Sequence, residues 1–232
     1  MLSLMQMPLP ASTPRRLTLV SLSRGARALA EVDPDLGAVL GRLGEPPMWG
    51  REPGFPALIQ IILEQQVSLA AARNMYRRLT GQLGAMTPEA VYAIQVNGLR
   101  DVGLTRQKAG YCFGLAARIL DGSLDLSSVA NGPDDRGRQI LLAVPGLGAW
   151  SVDIYYLMAL RRPDVWPQGD LALAVALREV KCLTDLPTKN EQQLLASHWA
   201  PWRSVAARIL WVHYLAARGQ CVSDNNGKRM LG

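Results

Sequence analysis

The sequence is poor in residues that staple or thread a protein. It holds three cysteines, Cys112, Cys182 and Cys221, far apart and odd in number, with no Cys-x-x-Cys pair. That argues against a zinc ribbon or a disulfide framework, and idle thiols in a reducing compartment are the expectation. No apolar run approaches the roughly 18 residues of a membrane span, so the chain is expected to be soluble and cytoplasmic, without a membrane partner. Alternating apolar and polar stretches of the kind that form half-buried strands are scarce. No period of roughly 20–50 residues recurs, which removes solenoid architectures. The segment from Met1 to Pro14 lacks the charge order of a secretory signal, because Arg15 and Arg16 follow its apolar stretch instead of preceding it. It reads as a loose N-terminal arm.

What is present is a chain of 232 residues, 49% hydrophobic and 19% charged. That composition buries a real core and suits one large domain or two small ones. The net charge is +6 and the pI is near 9.5. Excess arginine and lysine favours a polyanionic partner, nucleic acid or an anionic membrane surface.

The periodic stretches are rich in Ala, Leu and Arg and read as helices throughout. A short helix is expected over Asp35 to Leu43, then a Pro/Gly-rich loop over Gly44 to Pro56 and an apolar helix over Ala57 to Gln65. Ser68 caps a helix that ends at Gly84. Thr87-Pro88 opens another, and Thr105 begins a long one. Pro133 starts a helix that ends at Ala143, Trp150 to Leu160 is strongly apolar, and Leu171 to Cys182 is amphipathic. Thr188 and Glu191 have capping-box spacing. Pro201 starts the last helix, Gly219 stops it, and the tail after Cys221 is polar. The sum is about ten helices joined by short loops, an all-α protein.

The segment Leu141-Leu142-Ala143-Val144-Pro145-Gly146-Leu147-Gly148-Ala149-Trp150-Ser151-Val152 carries the most chemistry. A helix enters, Val144 to Gly148 turns sharply, and a second helix leaves. Gly146 and Gly148 permit positive φ and leave the backbone bare. Bare amides at a helix N-terminus attract anions, so a nucleic-acid phosphate can dock there without a basic side chain. An ordinary tight helix–helix connection has the same form. Twenty positions beyond Trp150, just before an amphipathic helix, stands Asp170. It reads either as a helix N-cap or as a carboxylate facing a cleft, and the two are compatible because capping keeps a carboxylate ionised.

The hairpin, the apolar helix after it and the downstream Gly169-Asp170 resemble the helix-hairpin-helix (HhH-GPD) DNA glycosylase superfamily. Three further segments are similar to blocks of that family. They are Leu63-Glu64-Gln65-Gln66-Val67-Ser68-Leu69-Ala70-Ala71-Ala72, Val102-Gly103-Leu104-Thr105-Arg106-Gln107-Lys108-Ala109 and Trp199-Ala200-Pro201-Trp202-Arg203-Ser204-Val205-Ala206. The resemblance runs from about Asp33 to Gly219. Enzymes of the superfamily that form a Schiff base with the sugar place a lysine where this chain has Trp150, and tryptophan cannot attack the anomeric carbon. Relatives with an iron–sulfur cluster hold it with four cysteines near the C-terminus, which three scattered cysteines cannot do. Tryptophan at this position and the Trp-x-Pro-Trp-Arg-Ser block resemble the 3-methyladenine DNA glycosylase II (AlkA-like) branch. That branch is monofunctional and removes alkylated, often cationic, bases.

The resemblance implies the following expectations. Asp170 is the catalytic carboxylate. Trp150 and Trp211, with Tyr155, line the base pocket, where an electron-poor purine gains from cation–π contact. Gln66 is the wedge that enters the duplex. Gly146, Gly148 and Ser151 bind a DNA phosphate. The backbone carbonyls of Leu142, Val144 and Gly146 hold a monovalent cation, Na+ or K+, in relatives; no other cofactor is required. The fold is two helical domains with the active-site cleft between them. One domain is 54–165 with the hairpin, and the other is 1–53 plus 166–232. Larger relatives add an N-terminal β-rich domain, which a chain of this length is expected to lack. The partner is double-stranded DNA with a damaged base, met by a monomer. A non-catalytic DNA-binding protein of the same hairpin type, a glycosylase for another lesion class and a purely structural helical protein are the rival readings.

Overall fold

The computed structural model describes residues 15–220. The N-terminal arm to Pro14, Cys221 and the polar tail lie outside the described residues. Among those described there are twelve α-helices and no strand. None of the helices is long and apolar enough to cross a membrane. The all-helical reading of the sequence is borne out.

The described chain clusters into two compact units. The hairpin unit comprises Trp49–Leu160 with Pro167–Asp170. Its centre is α3 (Phe55–Glu64), whose Leu58, Ile59, Ile61, Ile62 and Leu63 are fully buried. A helix apolar all round must be surrounded. Here α4 (Leu69–Leu83) and α6 (Arg106–Leu120) pack against it. The second of these pairs with α5 (Pro88–Asp101), where Tyr92 and Phe113 stack at 4.9 Å. The short α7 (Leu126–Asn131) leads to α8 (Asp134–Leu142), then the hairpin, then α9 (Ala149–Ile154). That last helix runs without a break into a π-helical turn, Tyr155–Ala159. The expected caps at Ser68, Thr87 and Thr105 are all made, each side chain accepting from a backbone N–H three residues on.

The second unit holds α1 (Leu19–Val32), α2 (Pro34–Leu43), α10 (Leu171–Val180), α11 (Lys189–Ser197), α12 (Arg203–Ala216) and the strap Arg161–Trp166. Sequence reasoning began its helices at Asp35 and missed α1, which Thr18 and Ser21 close with reciprocal hydrogen bonds. A serine in place of the usual Glu or Gln hides this capping box. The predicted box at Thr188 and Glu191 forms as expected. Pro201 does not start the last helix: a cis peptide joins it to Ala200 and Trp202 is the N-cap. The core is built on α12, buried from Ser204 to Leu210, and on Trp199 and Trp202. The Trp202 ring lies so close to α1 that a Cβ on Gly25 would meet it at 2.8 Å.

Asp33 organises this second unit. One oxygen caps α2 through the amides of Asp35 and Leu36, at 3.1 and 3.3 Å. The same carboxylate receives the Lys181 ammonium at 2.6 Å and the Trp199 indole N–H at 2.7 Å. Burial pushes its carboxyl up. The bonds from Lys181, Trp199 and Leu36, with the Lys181 charge, outweigh burial and hold it below its ordinary value of 3.8. A depressed carboxyl contributes stability above its unfolded pKa and loses it as pH falls through the folded one. Asp33→Asn should therefore cost about 2 kcal/mol at neutral pH, the worth of hydrogen bonds to a charged group. Thermal melts of the two proteins should begin to draw together as the pH falls past 3.8 and converge only below the lower, folded-state value.

Candidate active site

The entering helix α8 ends at Leu142, and Ala143 and Val144 turn the chain by bonding back to Gln139 and Leu141. Gly146 has φ +91, a conformation natural to glycine. Its backbone lies flat against the Tyr111 ring of α6, so that a Cβ would overlap the ring carbons. Gly148 differs from expectation. Its φ is −85 and its ψ 178, extended backbone open to any residue, with open space where a Cβ would stand. Positive φ is needed at Gly146 only, while Gly148 contributes a bare, exposed backbone.

Ser151 is buried, and its hydroxyl accepts from the Gln65 side chain at 2.9 Å. The hydroxyl keeps its own O–H, and a phosphate contact at Ser151 belongs to the proposal below. Of the three proposed cation ligands, the Val144 carbonyl already accepts from Leu147 N–H at 3.0 Å. The Gly146 carbonyl accepts from Gln65 at 2.7 Å. A carbonyl has two lone pairs, so each keeps one for a further partner.

Trp150 and Asp170 are brought together. The indole N–H donates to Oδ2 of the carboxylate at 3.0 Å, and both side chains are half-buried. The loop that delivers Asp170 is anchored beside this bond. Gln168 N–H donates to Asp153 Oδ2 at 3.1 Å, and Asp153 is buried and paired through its other oxygen with Arg138 at 2.5 Å. Arg138 in turn lies 4.5 Å from the Tyr156 ring centroid. An ionised carboxylate so placed accepts hydrogen bonds, can orient a water and can stabilise a neighbouring cation.

Tyr155 does not belong to this constellation. It is fully buried, and its hydroxyl accepts from Gly54 N–H at 3.1 Å. Burial pushes its phenol up, and the Gly54 bond offsets this only in part. The reason is angular: five residues at about 100° each place it about 140° around the helix from Trp150. Gln66 is exposed, in the turn between α3 and α4, with φ +56. Val67 and Leu69 beside it are 40% and 52% exposed, so apolar surface stands next to it. Trp211 is half-buried on α12, in the second unit.

Sequence reasoning passed over three residues that shape the site. Gln65 bonds the hairpin. Lys108 is buried and donates to the Leu63 carbonyl at 2.6 Å, at the end of α3, where unpaired carbonyls favour a cation. Burial draws its ammonium down, and the same burial pushes the neighbouring Cys112 thiol up to about 12. Asp153 is the third. Its signal was an acid inside the otherwise apolar run Trp150 to Leu160.

Within the hairpin unit, then, α8, a tight glycine turn and α9 present a bare backbone, with an indole and a carboxylate joined just behind it. That is the arrangement of a helix-hairpin-helix protein. Residues 59–201 match the family model described as HhH-GPD superfamily base excision DNA repair protein. The chain belongs to that superfamily. The match spans three of the four sequence blocks and reaches into the last.

A Mycobacterium tuberculosis protein named "Probable bifunctional transcriptional activator/DNA repair enzyme AlkA" is 30% identical over 219 residues, 88% of this chain and 42% of its own length. DNA-3-methyladenine glycosylase 2 of Escherichia coli is 25% identical over 191 residues, 76% of this chain and 64% of its own. Among solved structures, the 3-methyladenine DNA glycosylase of Schizosaccharomyces pombe in complex with abasic DNA superposes with a TM-score of 0.71 at 22% identity. The match covers 82% of this chain and 94% of that one, and it establishes the fold. The chain spans about half the length of the curated relatives it matches, 58% and 42% of two of them.

Gly146→Ala sets a side chain into the Tyr111 ring and strains the backbone as well. The expected loss is about 2–4 kcal/mol of stability in denaturant unfolding. Gly148→Ala should leave the unfolding curve nearly unchanged.

Proposed function

We propose that this chain is a monofunctional DNA glycosylase that hydrolyses the N-glycosidic bond of alkylated bases, of the 3-methyladenine and 7-methylguanine type, in base excision repair. The observation that carries the reading is the Trp150–Asp170 pair behind the hairpin: a carboxylate held by an indole at the position where a lyase needs a lysine. The name of the Escherichia coli relative, DNA-3-methyladenine glycosylase 2, supports the first of these lesions.

In this mechanism the basic surface meets duplex DNA through its phosphates, and binding weakens as salt rises. The backbone at Gly146 and Gly148, joined by the Ser151 hydroxyl, takes one phosphate without reading sequence. Gln66 enters the stack while the damaged nucleotide swings out, at a cost of a few kcal/mol that is smaller for a lesion. Trp150 offers its ring face to the extruded base, where a cation over an indole gains most. Trp211 is proposed for the same task on the resemblance alone. The glycosidic bond breaks through an oxocarbenium-like state, which the Asp170 carboxylate stabilises or supplies with an oriented water. A base that is already cationic leaves without a general acid, so no second carboxylate is required. Without a lysine at position 150 no Schiff base forms there, and hydrolysis without strand cleavage is expected.

A monovalent cation at the hairpin is part of the proposal. The Val144 and Gly146 carbonyls fit it to the extent that each retains one lone pair. The cation would supply positive charge toward a phosphate, and no chemical step runs through it. The enzyme is proposed to act as a monomer, in the cytoplasm.

Excision from oligonucleotides bearing 3-methyladenine, 7-methylguanine, 1-methyladenine, ethenoadenine or hypoxanthine tests the reading. Release of the first two should dominate, and salt-sensitive DNA binding with no base released would point to a non-catalytic DNA-binding protein instead. Asp170→Asn should reduce single-turnover excision at least a thousandfold and leave DNA affinity intact; normal excision by this variant would remove the carboxylate from the mechanism. Trp150→Phe keeps an aromatic face but withdraws the N–H from Asp170. Its excision rate should fall about tenfold, near the worth of one hydrogen bond to a charged group.

A further inference from the structure

Gln65, the residue before the proposed wedge, has no assigned task, yet it makes the most specific contact between the α3–α4 turn and the hairpin. It ends α3 with extended backbone, φ −60 and ψ 127. A primary amide has two N–H donors. In Gln65 they go to the Gly146 carbonyl at 2.7 Å and to the Ser151 hydroxyl at 2.9 Å, residues 81 and 86 positions away in the chain. Both targets are rigid: Gly146 is trapped against Tyr111, and Ser151 is buried in α9. On the other side of the turn Lys108 holds the Leu63 carbonyl at 2.6 Å. The turn is therefore tethered immediately before and immediately after Glu64.

The next residue is Gln66, at φ +56 with its side chain exposed. Left-handed backbone at a non-glycine residue is strained and persists where the surroundings dictate it. The nearest such constraint is the Gln65 clamp, one peptide away.

We propose that Gln65 is a positioning residue that couples the phosphate-binding hairpin to the wedge. Tyr111 holds Gly146 in place, the Gln65 amide carries that register from the hairpin to the turn, and the Gln66 side chain is thereby aimed at the stack of a strand seated on the hairpin. Its contribution is made during base extrusion and acts through Gln66. The inference rests on the glycosylase reading and adds a residue that the reading does not need.

The test is a double-mutant cycle in single-turnover excision of 7-methylguanine from duplex DNA, with the lesion either paired with cytosine or facing a mismatched adenine. Gln65→Met keeps the length of the side chain and removes both donors; Gln65→Glu keeps the shape and replaces the donors with acceptors. Thermal melts identify a variant that has not folded, and one folded variant suffices. Each should slow excision of the paired lesion by about ten- to a hundredfold, the cost of a small misplacement. The mismatched lesion, already easier to unstack, should be slowed about threefold or less. Affinity for undamaged duplex should stay within about twofold. Gln65→Met combined with Gln66→Ala should be no slower than Gln66→Ala alone, the non-additivity of residues acting in series.

Equal slowing on both substrates, additive losses, or no slowing at all would each overturn the coupling. If the unaltered protein releases no base from any lesion, the glycosylase reading itself fails. That result is distinct from active protein with an indifferent Gln65.

Discussion

The close approach of Gly146 to the Tyr111 ring sets the terms for everything around it. The contact brings the hairpin backbone within hydrogen-bond reach of the Gln65 amide and settles where α9 begins. From that start the position of Trp150 follows, since it is the second residue of the helix, and with it the place where a carboxylate can accept the indole N–H. None of this requires a charged side chain at the turn itself. The electrostatics come from backbone dipoles and from one acid behind them, and both are fixed before any ligand arrives.

The chemistry is arranged economically. The loop bearing Asp170 is secured by a backbone bond to Asp153, and Asp153 is secured by Arg138. The acid that positions the loop is thus neutralised by a partner, whereas Asp170 receives a neutral indole donor. Asp153 and Asp170 are given different partners, a guanidinium for the first and an indole N–H for the second.

Much of the fold was legible in the sequence because helix ends are written locally. Ser68, Thr87, Thr105 and the Thr188–Glu191 box all cap as their spacing implied. The missed helix α1 carries its box in a disguised form, with Ser21 in the reciprocal position. In the candidate site, Asp170 and Trp150 could be paired from sequence through family resemblance, not through any local signal, since 20 positions separate them. Gln65 lies inside one of the family's blocks, yet nothing local marks its role. Its partners lie more than eighty residues downstream, and a long-range side-chain bond to a carbonyl leaves no pattern. Tyr155, expected in the pocket from the resemblance, is turned into the core by helical geometry. The equivalence assumed between Gly146 and Gly148 failed because identical residues can be kept for different reasons, one for its backbone angle and one for its bareness.

The π-helical turn at Tyr155–Ala159 separates two demands on one rod. Leu160 N–H reaches back five residues to Tyr155, so the winding after Ile154 takes up an extra residue. In a uniform α-helix the azimuth of every later side chain would be dictated by that of Trp150. The wider turn resets this phase. The N-terminal half can then present its indole as the site requires, while the C-terminal half buries Tyr156, Leu157 and Ala159 on a face of its own. Substitutions that re-tune one half need not be mirrored in the other, which leaves the segment bearing the indole open to change under a constant interior.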